Sequence, residues 1–92
     1  MIVSFRSKAL RRFWEKDDPR GLNPRHVAKL SLILGMLEIA KTAEDMNAIG
    51  MDFHSLTGEK PQRWTVHVNG NWCVTFSFDD SDACALDYED YH

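Results

Sequence analysis

From Trp64 to His92 the chain has no lysine or arginine. All 11 of its basic residues lie in residues 1–63, and the last 29 residues carry six acids: Asp79, Asp80, Asp82, Asp87, Glu89 and Asp90. Whatever binds a polyanion through lysine and arginine is therefore in the first two thirds of the sequence. Cysteine is scarce, with only Cys73 and Cys84. That excludes a disulfide scaffold, and no Cys/His pair has the close spacing of a zinc site, so no metal or other cofactor is expected. Long apolar runs are also missing. The longest, around Leu30 to Ala40, is interrupted by Ser31, Gly35 and Glu38, which is too broken for a bilayer span. Met1-Ile2-Val3-Ser4-Phe5 lacks the basic start and apolar stretch of a signal peptide, so a cytoplasmic protein without membrane contact is expected. Repeats, linkers and low-complexity segments are absent as well.

At 92 residues, 43% apolar and 27% charged, the chain has the composition of one ordinary globular domain spanning 1–92, near the lower size limit for a self-sufficient core. The net charge of −3 conceals a basic N-terminal part: between Arg6 and Lys29 eight cations face three acids, Glu15, Asp17 and Asp18. Such a stretch can track a phosphate backbone, although charge alone favours a solvated helical face.

Hydropathy has period 3.6 up to Gly50 and period 2 beyond it. Ile2–Phe5 reads as a short strand. Ser7 caps a helix to about Lys16, with Ala9, Leu10, Phe13 and Trp14 on its apolar stripe. Asn23-Pro24 opens a second helix to about Lys41, burying Val27, Leu30, Ile33, Leu34 and Leu37. Thr42 can cap one further turn. Strands are predicted near residues 51–56, 62–68, 72–78 and 84–89.

Strand register follows from keeping apolar side chains on one face. A three-residue loop, Asn69-Gly70-Asn71, puts Trp64, Val66 and Val68 with Trp72, Val74 and Phe76. Thr65, His67, Cys73 and Thr75 then share the polar face. In the last hairpin, pairs whose numbers sum to 162 bury Cys84, Leu86 and Tyr88 against Phe78, Phe76 and Val74. Asp87 and Glu89 are left on the polar face. This register predicts a buried Cys84 and an accessible Cys73.

The chemistry-bearing residues are His54, His67 and the closing Asp90-Tyr91-His92. Two imidazoles, a phenol and a carboxylate within reach of one sheet can move protons around a phosphodiester. An imidazole ordinarily titrates near about pH 6.5, so its acid and base forms coexist near neutrality. Each residue has a plainer reading: His54 and His67 as surface residues of a sheet, His26 as a structural partner of its helix start, and the last residues as a frayed end.

His54-x-Leu56-x-Gly58, Arg63-Trp64-x-x-x-Val68-Asn69-Gly70-Asn71-Trp72-x-Val74-x-Phe76 and Asp87-Tyr88-x-Asp90-Tyr91-His92 form an ordered set. With Phe5-x-x-Lys8-x-Leu10 and Asn23-Pro24-x-His26-x-x-x-Leu30, the set resembles the HigB toxins, the plasmid maintenance killer branch of the RelE-like superfamily. The resemblance covers the whole chain. It implies a compact α+β fold, with two N-terminal helices on a mainly antiparallel sheet of four to five strands. It also implies a ribosome-dependent endoribonuclease that cuts mRNA in the ribosomal A site. The implied partner is a helix-turn-helix antitoxin of HigA type, the free toxin being monomeric. Catalysis in the family maps onto His54, Asp90, Tyr91 and His92, and onto a basic residue at position 73.

Here the chain departs from the family, because Cys73 stands where an arginine is expected, and a thiol cannot grip a phosphate as a guanidinium does. Thr57 also stands where some members have lysine. Arg6, Lys8, Arg11, Arg12, Lys16, Lys60, Arg63 and His67 are the candidate RNA contacts, with Lys60 and Arg63 the nearest substitutes for the missing cation. Two other readings stay open. One is a toxin of the same fold that binds a protein, as gyrase poisons do, without nuclease chemistry. The other is a variant that binds antitoxin but no longer cleaves.

Overall fold

A computed structural model of the chain describes residues 1–90. The expectations for Tyr91 and His92 fall outside the described residues. Helix α1 spans Lys8–Lys16. Ser7 Oγ accepts from the Leu10 backbone N–H at 3.1 Å, satisfying one of the amides that a helix start leaves unpaired. Leu10 is the fully buried residue of α1, while Lys8, Arg11, Arg12 and Lys16 are exposed. After a 3₁₀ turn at Pro24–His26, helix α2 runs Val27–Ile39, ending short of the expected Lys41. The reason is the next capping site. Asp45 Oδ2 accepts from the Lys41 and Thr42 backbone N–H groups, at 2.8 and 3.2 Å. Those amides are thereby committed to a 3₁₀ turn at Ala43–Met46 rather than to α2.

Four antiparallel strands follow: β1 His54–Leu56, β2 Arg63–Asn69, β3 Trp72–Asp79 and β4 Asp82–Asp90, in the order β1-β2-β3-β4. The expected strand from residue 51 starts only at His54, because Asp52 is left-handed with φ 47° and breaks the extended run. The Ile2–Phe5 segment does not form a full strand. It lies parallel to β4 through single bridges, Ile2 to Ala83 and Phe5 to Leu86.

Between β2 and β3 the pairs Trp64–Phe76, Thr65–Thr75, Val66–Val74 and His67–Cys73 have the expected register. The turn is tighter than expected: Asn69 pairs with Trp72, a bulge takes up the extra residue, and Gly70 supplies the left-handed conformation at φ 59°. Between β3 and β4 the sum of 162 holds for Trp72–Asp90 through Thr75–Asp87, then falls by one, so Cys84 opposes Ser77 and Ala83 opposes Phe78. The shift lies beside Ala85, whose φ is 53°.

This shift corrects the cysteine assignment. A one-residue slip exchanges the faces, so Ala83 enters the core and Cys84 moves to the polar face, half-buried. Cys73 keeps its predicted face but is not accessible, being only 6% exposed. It sits on an inner strand between His67 and Glu89. Both thiols are free.

The other face of the sheet packs on the helices. Val66, Val74, Phe76 and Leu86 meet Leu10, Leu30, Ile33, Leu34 and Leu37 in one cluster. Burying each of the larger side chains contributes about 1.5–3 kcal/mol. Among the described residues, no helix is long and apolar enough to cross a membrane.

Candidate active site

The polar face of the sheet is arranged in cross-strand rows. One row reads His54, Thr65, Thr75, Asp87, and the next reads His67, Cys73, Glu89. At the end nearer the β2–β3 turn these rows border a cavity of about 180 Å³. His54, Thr65, His67 and Cys73 form its sheet side; Asp52, Gly70, Asn71 and Trp72 close its rim. The structure therefore brings together His54, His67 and Cys73, all three singled out from the sequence. Asp90 is adjacent: it pairs with Trp72, and its charge is felt at the Cys73 thiol.

The imidazoles are oriented by backbone carbonyls. His54 Nδ1 lies 3.1 Å from the Asp52 carbonyl oxygen, and His67 Nε2 lies 2.9 Å from that of Gly70. A carbonyl only accepts, so each of these nitrogens carries a proton and donates it. His54 in its neutral form is thus the Nδ1–H tautomer, with Nε2 bare and able to take a proton. The left-handed backbone of Asp52 turns its carbonyl toward that ring. Asp tolerates this conformation better than most residues do.

Cys73 supplies no charge. Burial pushes its thiol pKa up, and the carboxylates of Glu89, Asp87 and Asp90 push the same way, against a downward pull from Thr65. Apart from this contact with the thiol, Thr65 Oγ1 is buried without a hydrogen-bond partner among the described residues. A thiol is too weak an acceptor to satisfy it fully.

Arg63 differs most from its expected role. It is 2% exposed. Nη1 donates to Ser77 Oγ at 3.1 Å, and Nη2 donates to Thr75 Oγ1 at 2.9 Å and to the Ala85 carbonyl at 2.8 Å. Thr75 Oγ1 in turn donates to Glu89 Oε2 at 2.6 Å. Arg63 is therefore an internal tie across β2, β3 and β4, not a surface cation. Burial lowers its pKa, with Arg6 adding to the effect. Its place was marked in the sequence by alternation with Thr65 and His67, but nothing there signalled that the guanidinium would be enclosed. The carbonyls that orient the imidazoles also went unseen, since a backbone acceptor has no residue signature.

Arg6, Lys8, Arg11, Arg12 and Lys16 are exposed on or next to α1, and Lys60 is exposed in the β1–β2 loop. Among the described residues that line the cavity, none is one of these cations.

The chain is thus an α+β domain with a histidine-lined hollow at one end of its sheet, and comparison with known proteins places it in a family. A family described as the RelE-like toxin of type II toxin-antitoxin system HigB matches residues 3–92. The chain is 34% identical over 92 residues, all of both proteins, to the endoribonuclease HigB of Proteus vulgaris. The chain belongs to the HigB-like family of RelE-like toxins. As a type II toxin it has an antitoxin as its partner.

Proposed function

We propose that this chain is an endoribonuclease that cuts mRNA in the ribosomal A site, on the small ribosomal particle, by transesterification without a catalytic metal. The observation that carries the reading is His54, held at a cavity wall with Nε2 bare by the Asp52 carbonyl. The Proteus vulgaris relative is named an endoribonuclease, which supports cleavage of RNA.

In this reading His54 Nε2 takes the proton of a ribose 2′-hydroxyl, whose oxygen attacks the adjacent phosphorus. The P–O5′ bond breaks, leaving a 2′,3′-cyclic phosphate, and the 5′-oxygen receives a proton from His92. Asp90 orients an imidazole, and Tyr91 stacks on a base. Arg6, Lys8, Arg11, Arg12, Lys16 and Lys60, with His67 at the cavity, hold RNA. Arg63 acts through the fold. The antitoxin is of the HigA type with a helix-turn-helix, the free toxin is a monomer, and action on ribosomes places it in the cytoplasm.

Position 73 favours a second, narrower reading: an attenuated nuclease. Among the described residues, the cavity is lined by no lysine or arginine, and the thiol that replaces an expected arginine is neutral. Loss of one preorganised charge contact costs on the order of 3 kcal/mol in a transition state, about a hundredfold in rate.

The test uses ribosomes programmed with mRNA whose A-site codon is either all ribose or all 2′-deoxyribose. Cleavage of the ribose message only, yielding cyclic phosphate and 5′-hydroxyl ends, is expected. Equal cleavage of the deoxy message, or 5′-phosphate ends, would refute the mechanism.

A further inference from the structure

His26 is a buried titratable residue that the proposed reaction does not use. It lies at the start of α2, only 3% exposed. Its ring is 5.8 Å from that of Trp72 and meets that of Tyr88 edge-on at 5.9 Å. Its Nδ1 is 2.5 Å from the Tyr88 hydroxyl. Trp72 and Tyr88 stack on each other, with centroids 4.4 Å apart. A buried imidazole nitrogen needs a hydrogen-bond partner, and here that partner comes from β4 rather than from a neighbour in sequence.

The two aromatic partners lead to the site by separate routes. Trp72 closes the rim of the cavity that His54 lines, and it pairs with Asp90. Tyr88 precedes Asp90 by two residues and His92 by four. The N-terminal segment bridges β4 at Ala83 and Leu86, so the stretch beyond Leu86 lies past that support and is paired on its β3 side. A tie from this stretch to the helical layer is the Tyr88 side chain, whose hydroxyl reaches His26. Burial raises the Tyr88 pKa, the Asn23 backbone opposing it. At neutral pH the phenol thus keeps its proton and stays hydrogen-bonded to His26 Nδ1.

We propose that His26, acting through the Tyr88 hydroxyl and the Trp72 ring, is a positioning residue that fixes the end of β4 against the His54 cavity. The proposal rests on the nuclease reading above. A catalytic group displaced by about 1 Å can lose a hundredfold in rate even when the cause is remote. A helix-to-strand tie at the last strand residues therefore has a catalytic as well as a structural consequence.

Tyr88→Phe removes the hydroxyl and keeps the ring stacked on Trp72. The full chain and this variant are compared by amide hydrogen exchange and by single-turnover cleavage on programmed ribosomes, each also in a Cys73→Arg background. Exchange at Glu89 and Asp90 is expected to rise about tenfold with β2 unchanged. The saturating cleavage rate should fall about tenfold, with the ribosome concentration at half-maximal rate within twofold of the parent. His26→Phe should behave like Tyr88→Phe, and His26→Asn, which keeps an acceptor, should recover most of the rate.

Unchanged exchange at Glu89 and Asp90, a uniform rise across the sheet, or an undiminished rate per folded molecule would overturn the proposal. If neither the parent nor its Cys73→Arg form cleaves at all, the nuclease reading fails instead. The exchange contrast then upholds or overturns the tie by itself.

Discussion

Position 73 sets the electrostatics of the site. A neutral thiol there leaves the cavity lined by two imidazoles and the Asp52 carboxyl, with further acids close by. Cys73→Arg is expected to raise single-turnover cleavage on programmed ribosomes at least tenfold, and the cavity beside it gives the longer side chain somewhere to extend. A rate within twofold of the parent would show that the site needs no guanidinium there. The two cysteines also make a direct test of the strand register. Cys84, half-buried on the polar face, is expected to react with a thiol reagent before Cys73 in the native protein, and peptide mapping after brief labelling reads the order. The sequence pointed to the opposite order. It could place Cys73 on the correct face by alternation, but not foresee that neighbours on both sides would cover it.

At the scale of elements, the β3–β4 bulge separates what the sequence disclosed from what it did not. The pairings of β2 with β3 from Trp64 to His67 and of β4 near Asp87 follow from segregating apolar side chains, and they stand as expected, while the turn end, where Asn69 rather than Val68 meets Trp72, does not. The slip beyond Thr75 turns on a left-handed alanine, a conformation that costs an L-residue about 1–2 kcal/mol and that alanine does nothing to advertise. Long-range partners hold it: the Ala85 backbone N–H donates to Ser4 Oγ at 2.8 Å, and its carbonyl accepts from Arg63 at 2.8 Å. Neither contact is visible in local sequence. Arg63→Met should therefore destabilise the fold by about 2–4 kcal/mol, since it strands buried hydroxyls and a carbonyl. Chemical denaturation measures this; a loss under about 0.5 kcal/mol would mean that the tie is dispensable. The helices were easier to read, because Ser7, Asn23 and Thr42 each occupy their capping positions; what moved was the start of α2, where Pro24–His26 forms a 3₁₀ turn, and its end.

The whole molecule divides its labour between a basic helical side and a sheet whose exposed acids lie toward the C-terminal strand. The cations of α1 stand apart from the cavity lining, so they are expected to serve binding rather than the chemical step. Arg11→Ala with Arg12→Ala should weaken ribosome association severalfold and flatten its salt dependence, leaving the saturating cleavage rate within about twofold. A fall in that saturating rate with unchanged affinity would move these residues into the catalytic step. The measurement that bears most directly on the account is single-turnover mRNA cleavage on programmed ribosomes by the parent chain and by His54→Ala, both carrying Cys73→Arg to raise the signal. General acid–base catalysis by one positioned group is worth about a hundredfold or more. The account predicts a loss of at least that size, with the protein still folded and still bound by its antitoxin. Equal rates for the two proteins would contradict it.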